Sequence, residues 1–253
     1  MRARWATAVL LTASAALAEG SDFARLEQFA PLEQGDASAA ASVEVQGAIS
    51  RAQKGSSGGT GDAGYSGAVE RIYGRFGVTD RIAVALEPTV RQTDLSTFTL
   101  QTLVPEVRVK LLSLPAGVLL SAFGDARLRL NGRRGSTAEV GLGLERKIGA
   151  LALVANASFE HGAFDSRGTK GARYEAGASL RILEPLSLGL EAWGAFQFDA
   201  GETFQQDHHA GPTLKLRLGK RSWVSGNVAV GAKDRTNVRF IDWTALTQLG
   251  FSL

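Results

Sequence analysis

From Ala41 onward, apolar and polar residues alternate with a period of two, the signature of strands that have one greasy and one wet face. Val43, Val45, Gly47 and Ile49 interleave with Glu44, Gln46, Ala48 and Ser50. Ile82, Val84, Leu86 and Val90 interleave with Ala83, Ala85, Glu87, Thr89 and Arg91. The same phase runs through Leu103 to Leu111 against Glu106, Arg108 and Lys110, and through Val118 to Leu130 against Ser121, Asp125, Arg127 and Arg129. It continues in Val140, Leu142 and Leu144 against Glu139 and Glu145, then in Leu151 to Phe159 against Asn156, Ser158 and Glu160. Ala172 to Ile182 opposes Arg173, Glu175, Ser179 and Arg181, and Leu186 to Phe198 opposes Glu191 and Gln197. Leu214 to Leu218, Val224 to Val230 and Ile241 to Leu253 complete the set. With the less regular Tyr65 to Phe76, the pattern predicts about twelve strands, most of roughly 9 to 14 residues, the length at which a tilted strand crosses a bilayer.

The connections carry an independent signal. Long segments (Gln53 to Gly64, Thr93 to Thr99, Gly162 to Gly171, Ala200 to Gly211) take turns with short ones (Gly77 to Arg81, Ser113 to Ala116, Lys147 to Gly149, Glu184-Pro185, Gly219 to Ser222). Barrels of the outer membrane show this asymmetry, with short turns on the periplasmic side and longer loops outside. A soluble sandwich also alternates, but its strands are shorter and fewer per domain. Nearly all strand-borne charges here fall on one face. The expected fold is therefore all-β: a single antiparallel up-and-down transmembrane β-barrel of about 12 strands, apolar toward lipid and polar toward its lumen.

Residues 1–18 change where this barrel is expected. Arg2 and Arg4 precede an uncharged apolar stretch that ends in Ala16-Leu17-Ala18, the layout of a secretory signal peptide cleaved after Ala18. Losing those two arginines lowers the formal net charge of +3 by two, which leaves no basic stripe for nucleic acid. No later apolar run is long enough for a membrane-spanning helix. Residues 19–40 are expected to be a periplasmic or plug segment, with Ser21 capping a short helix that carries Phe23, Leu26 and Phe29. Residues 41–253 form the barrel. With 30 Gly, 6 Pro and no Cys, the composition leans toward β-structure and excludes disulfides, thiolate catalysis and thiolate-bound metals.

The last strand, Trp243-x-Ala245-x-Thr247-x-Leu249-x-Phe251-x-Leu253, resembles the C-terminal targeting strand of bacterial outer-membrane barrels, with Leu253 in place of the usual terminal aromatic. The resemblance implies delivery to the barrel assembly machinery. The segment Tyr73-Gly74-Arg75-Phe76-Gly77-Val78-Thr79-Asp80-Arg81-Ile82-Ala83-Val84 resembles a hairpin of the transporter family named for the meta-pathway of phenol degradation. That resemblance implies transport and supplies no catalytic residues.

Candidate chemistry is sparse. His208 and His209, in Gln205-Gln206-Asp207-His208-His209, are expected on a long external loop; solvated loop residues are the simpler account of them than a metal or general-base site. Ser158 and Ser166 stand at the wrong spacing from His161 for a barrel lipase, and an Asp–His protease is the other enzymatic alternative. We expect no enzyme, no cofactor and no metal. Lumen and mouth contacts for a solute are expected from Arg108, Lys110, Arg127, Arg129, Glu139, Glu160, Arg173, Glu191 and Trp193. Arg129 is expected opposite Glu139, with Arg173 pairing Glu160, while Arg133 and Arg134 at the hairpin tip stay available to lipopolysaccharide phosphate or to anionic solutes. Tyr73, Phe76, Trp223 and Phe251 on the short-turn side, and Tyr65, Phe98, Phe164 and Phe198 on the other, are expected as two interfacial girdles. The reading is an outer-membrane channel for small hydrophilic or amphipathic solutes, with a non-conducting structural or adhesive barrel as the alternative. Expected partners are outer-membrane lipids, lipopolysaccharide, the assembly machinery and the solute.

Overall fold

The computed structural model describes residues 35–53, 64–92, 98–130, 136–162, 170–198, 204–235 and 238–252. The signal peptide, the helix expected after Ser21, Phe164, Arg133 and Arg134 lie outside the described residues, as does Leu253. Twelve strands are formed: β1 (Ala37–Gln53), β2 (Gly64–Thr79), β3 (Ile82–Gln92), β4 (Phe98–Leu114), β5 (Val118–Arg129), β6 (Thr137–Ile148), β7 (Leu151–Gly162), β8 (Lys170–Leu183), β9 (Leu186–Phe198), β10 (Phe204–Arg217), β11 (Ser222–Arg235) and β12 (Val238–Ser252). Each pairs antiparallel with its sequence neighbours, and β1 pairs with β12, so the sheet is a closed barrel without a free edge.

Burial is inverted relative to a soluble core. Ser121, Glu44, Glu191, Lys215 and Asn227 are among the most buried side chains, while Val140 and Leu190 are 63% and 65% exposed on the outside. An outer surface of this kind is stable only against hydrocarbon, at roughly 25 cal/mol of penalty per Å² if it faced water. The alternation expected from the sequence therefore sets the two faces strand by strand.

β1 starts at Ala37, ahead of the point where alternation becomes legible, because Ala37-Ser38-Ala39-Ala40-Ala41 offers no polarity contrast to read. β10 starts at Phe204, which corrects the long loop expected from Ala200 to Gly211: Gln205 to His209 are strand. The turn after β4 is a short 3-10 element, Pro115–Gly117, in which Ala116 and Gly117 take positive φ (62° and 71°). Glycine accepts that conformation freely and alanine rarely does.

The girdles form in part. Phe76, Phe198 and Phe251 point outward and are about half exposed (47%, 49% and 47%). Trp223 corrects the expectation: it shares the phase of buried Ser225 and Asn227, points into the lumen and lies over Gly250, where a Cβ would come within 2.1 Å of its ring. Tyr73 is in register with buried Ala40 and also faces inward. Glu70, in register with Val43 and Val90, stands on the outer face as an exception to the charge rule.

Candidate functional site

The lumen holds a chamber of about 410 Å³ in the half nearer the long connections. Its lining includes Glu44, Arg71, Arg127, Arg129, Arg173 and Trp193. The strands place them there by parity alone, since every second residue of a barrel strand faces the lumen.

One wall, on β4 to β7, carries a row of carboxylates. Glu106 is in register with Asp125, Asp125 with Glu139, and Glu139 with Glu160. Like charges set directly opposite one another are unfavourable. Cations from the adjoining rows offset them. Arg173 Nε is 3.1 Å from Glu160 Oε2, and its Nη1 is 3.6 Å from Glu139 Oε2. Arg108 donates through Nη2 to Glu106 Oε2 at 2.8 Å. Arg127 Nη2 stands 4.0 Å from Glu139 Oε2, and the Ser158 hydroxyl donates to the same carboxylate. Asn156 Nδ2 donates to Glu175 Oε2 at 3.1 Å.

The opposite wall, on β9 to β12, is built from rings. His209 stacks on Trp193 with centroids 5.4 Å apart and planes 8° from parallel. Its Nε2 is 2.9 Å from Asp242 Oδ1 and its Nδ1 is 2.9 Å from Asp207 Oδ1. Lys233 Nζ bridges the same two acids, 2.7 Å from Asp242 Oδ2 and 3.4 Å from Asp207 Oδ2. The His209 ring lies over Gly231, where a Cβ would approach within 2.2 Å. Between the walls, Glu44 is fully buried at the seam of β1 and β12; it accepts from Thr244 Oγ1 at 2.9 Å and pairs with Arg71 Nη1 at 2.8 Å.

Arg127, Arg129, Arg173 and Trp193 thus line the chamber, with Glu139 and Glu160 in the carboxylate row of its wall. Arg108 and Glu191 are buried (6% and 1% exposed), and Lys110, in register with buried Ser121, sits toward the short turns. The Arg173–Glu160 pair forms as expected. Arg129 does not face Glu139: the register sets Asp125 opposite Glu139 and Arg127 opposite Thr137, so Arg129 runs past that pairing, and its backbone N–H donates to Ser136 Oγ at 3.2 Å. The two histidines, one residue apart on a strand, point to opposite faces. His209 enters the chamber; His208 points outward, where its Nδ1 shares a hydrogen bond with the Tyr174 hydroxyl at 2.9 Å. Glu44, Arg71, Lys233 and Asp242 belong to the site and were not singled out from the sequence; that Lys233 stands opposite Asp207, and that Asp242 shares the row of His209 and Gly231, becomes visible only once the register is known. Among the described residues no group of three or more His, Asp or Glu is arranged to hold a metal.

No protein-family model and no curated protein matches the sequence. Among solved structures, the chain is similar to an outer membrane channel from Pseudomonas putida F1, with a TM-score of 0.62 and 10% identity over 89% of this chain and 98% of that one. It is also similar to the NanC porin (TM-score 0.56, 10% identity, 83% of this chain and 100% of that one) and to the KdgM porin (0.50, 11%, 84% and 99%). Identities this low establish a shared fold: the chain has the barrel architecture of outer-membrane channels.

Proposed function

We propose that this chain is a passive channel of the bacterial outer membrane, exported through residues 1–18 and passing small hydrophilic or amphipathic solutes. The observation that carries the reading is the chamber of about 410 Å³ in the long-connection half of a closed barrel, lined by charged groups and by Trp193. Arg127, Arg129, Arg173 and Trp193 are its solute contacts; Arg108, Lys110 and Glu191 lie on the path beyond. The transporter family that the β2–β3 hairpin resembles belongs to the same reading, as does assembly through the C-terminal strand that ends near Phe251.

The lining of the chamber mixes both signs of charge, so solutes are admitted by size and hydrogen bonding more than by net charge. One observation favours the second reading, a non-conducting barrel. Beyond the chamber, Ser121, Ser179, Lys215, Ser225 and Asn227 are each 3% exposed or less, so side chains fill that part of the lumen. Single-channel recording of the purified full chain in planar bilayers separates the two. Reproducible conductance steps are expected; silence with insertion verified would leave the non-conducting barrel.

A further inference from the structure

The outer face of β7 to β10 is organised in rows that the register makes explicit. At the long-connection end, His161 is in register with Lys170, and Lys170 with Phe198; all three point outward and are exposed. Neither the His161 nor the Lys170 side chain enters an ion pair or hydrogen bond among the described residues. One row deeper stand Phe159, Ala172 and Phe196, and below them Tyr174, Gly194 and His208. Tyr174 and His208 lie over Gly194, where a Cβ would meet His208 Nδ1 at 2.4 Å, and Phe196 packs edge-on against His208 with centroids 5.0 Å apart.

The next row changes character. Ala155, Ala176, Ala192 and Ala210 are directly in register across four strands, with Leu144 at one end. The side-chain surface sinks here into a concavity of about 680 Å³, walled on its far side by Leu153 and Leu190. At strand spacings of about 4.8 Å the furrow runs on the order of 19 Å across the barrel wall. From Lys170 to Ala176 is six residues, about 20 Å of strand, which at a tilt of about 40° is a drop of roughly 15 Å, half the thickness of a hydrocarbon core.

We infer that this face binds a phosphorylated glycolipid of the outer leaflet, lipopolysaccharide through its lipid A, with phosphate on Lys170 and His161 and an acyl chain laid past the aromatic rows into the alanine furrow. Three observations fit that one molecule in the right vertical order: Lys170 and His161 at the rim without a partner among the described residues, rings at the interfacial depth, and an apolar trough at mid-bilayer. Charge selects the occupant, since an ammonium group without a partner among the described residues, beside exposed Phe159 and Phe198 (48% and 49% exposed), suits a phosphate attached to hydrocarbon. Arg146, at the short-turn end of the furrow and likewise outward, marks the competing occupant, a phospholipid of the periplasmic leaflet. The inference rests on the outer-membrane placement proposed above and is independent of conduction.

The test is native mass spectrometry of the full chain in detergent, titrated with bisphosphorylated lipid A and with enzymatically dephosphorylated lipid A. Lipid A with both phosphates is expected to bind on the order of tenfold more tightly. The double variant Lys170→Glu/His161→Ala loses that preference, and Ala176→Leu or Ala192→Leu, which fill the trough, weaken binding of both forms. Equal retention of the two lipids overturns the inference. So does unchanged binding by the double variant, loss confined to Arg146→Glu, or dimerisation that the furrow variants abolish. The double variant alters only exposed rim positions and decides the matter if a furrow variant fails to fold. Lipid binding by a chain that is silent in bilayers would overturn the channel and leave this site standing; conductance steps without lipid A preference would do the reverse.

Discussion

The two walls of the chamber fill the same kind of space by different physics. On β4 to β7 four carboxylates stand in one row and arginines from neighbouring rows hold them together, so order there is electrostatic and long-reaching. On β9 to β12 a tryptophan, a histidine and a glycine stack in register, with Asp207, Asp242 and Lys233 pinning the imidazole edge; order there comes from ring contact and from the space a missing side chain leaves. The first wall is sensitive to the loss of Arg173, which bridges two of its acids, because Glu139 and Glu160 stand directly opposite one another. The second is sensitive to volume.

The sharpest way to break that contrast is at Arg173. Arg173→Ala leaves Glu139 and Glu160 facing each other without the guanidinium between them, and a stability loss of about 3 kcal/mol is expected, the scale for breaking a shielded ion pair. Equilibrium urea unfolding in lipid vesicles, followed by tryptophan fluorescence, measures it, and a loss below about 1 kcal/mol would mean the carboxylate row is no more than a set of surface-like pairs. Adding Glu160→Gln to that variant should return part of the loss, because it removes one of the opposed charges.

The ring wall answers to a methyl group. Gly231→Ala places a Cβ against the His209 ring, and about 1 to 3 kcal/mol of overpacking is expected, together with a shift in tryptophan emission as the Trp193 stack is displaced. The same substitution at Gly124, which faces outward on β5 beside Val140 and where a Cβ finds its nearest neighbour at an ordinary 3.6 Å, is the control for an added methyl group outside the chamber and should change little. Comparable losses at the two glycines would show that the cost at Gly231 does not come from the ring stack.

The smallest effect concerns selectivity. Arg127→Ala with Arg129→Ala removes two cations from the chamber rim, one of them only 4.0 Å from Glu139, so stability should move by about 0.5 kcal/mol or less. The reversal potential in a salt gradient should nevertheless turn toward cations, since the carboxylate row then outweighs its partners. An unaltered reversal potential would show that ions pass along the ring wall instead.

Strand number and strand faces were legible in the sequence because each depends on polarity contrast between successive residues, and that contrast is strong over most strands between Glu44 and Ser252. Gln205 to His209 hid their strand because both faces there are polar, the outward ring of His208 being matched by Asp207 and His209 within. Trp223 gave two conflicting signals: nearness to a turn suggested a girdle, whereas parity with Ser225 pointed inward, and parity prevailed. The carboxylate row could not be read at all, because direct opposition of Asp125 and Glu139 depends on where the intervening chain reverses. A shift of four residues along β5, from Arg129 to Asp125, moved Arg129 out of reach of its expected partner. Local polarity thus tells which face a side chain takes, and only register tells what it meets there.

The seam between β1 and β12 bears on how such a molecule comes into being. Thr244 reaches Glu44 across 200 positions of chain, so the last hairpin to emerge from synthesis must find the first. Loop-closure entropy makes so remote a meeting slow, and until it happens β1 and β12 each offer a bare ladder of backbone donors and acceptors to any passing strand. Assembly is therefore a race between one intramolecular zipper and many intermolecular ones, and a nascent chain shortened by a single strand has no way to win it.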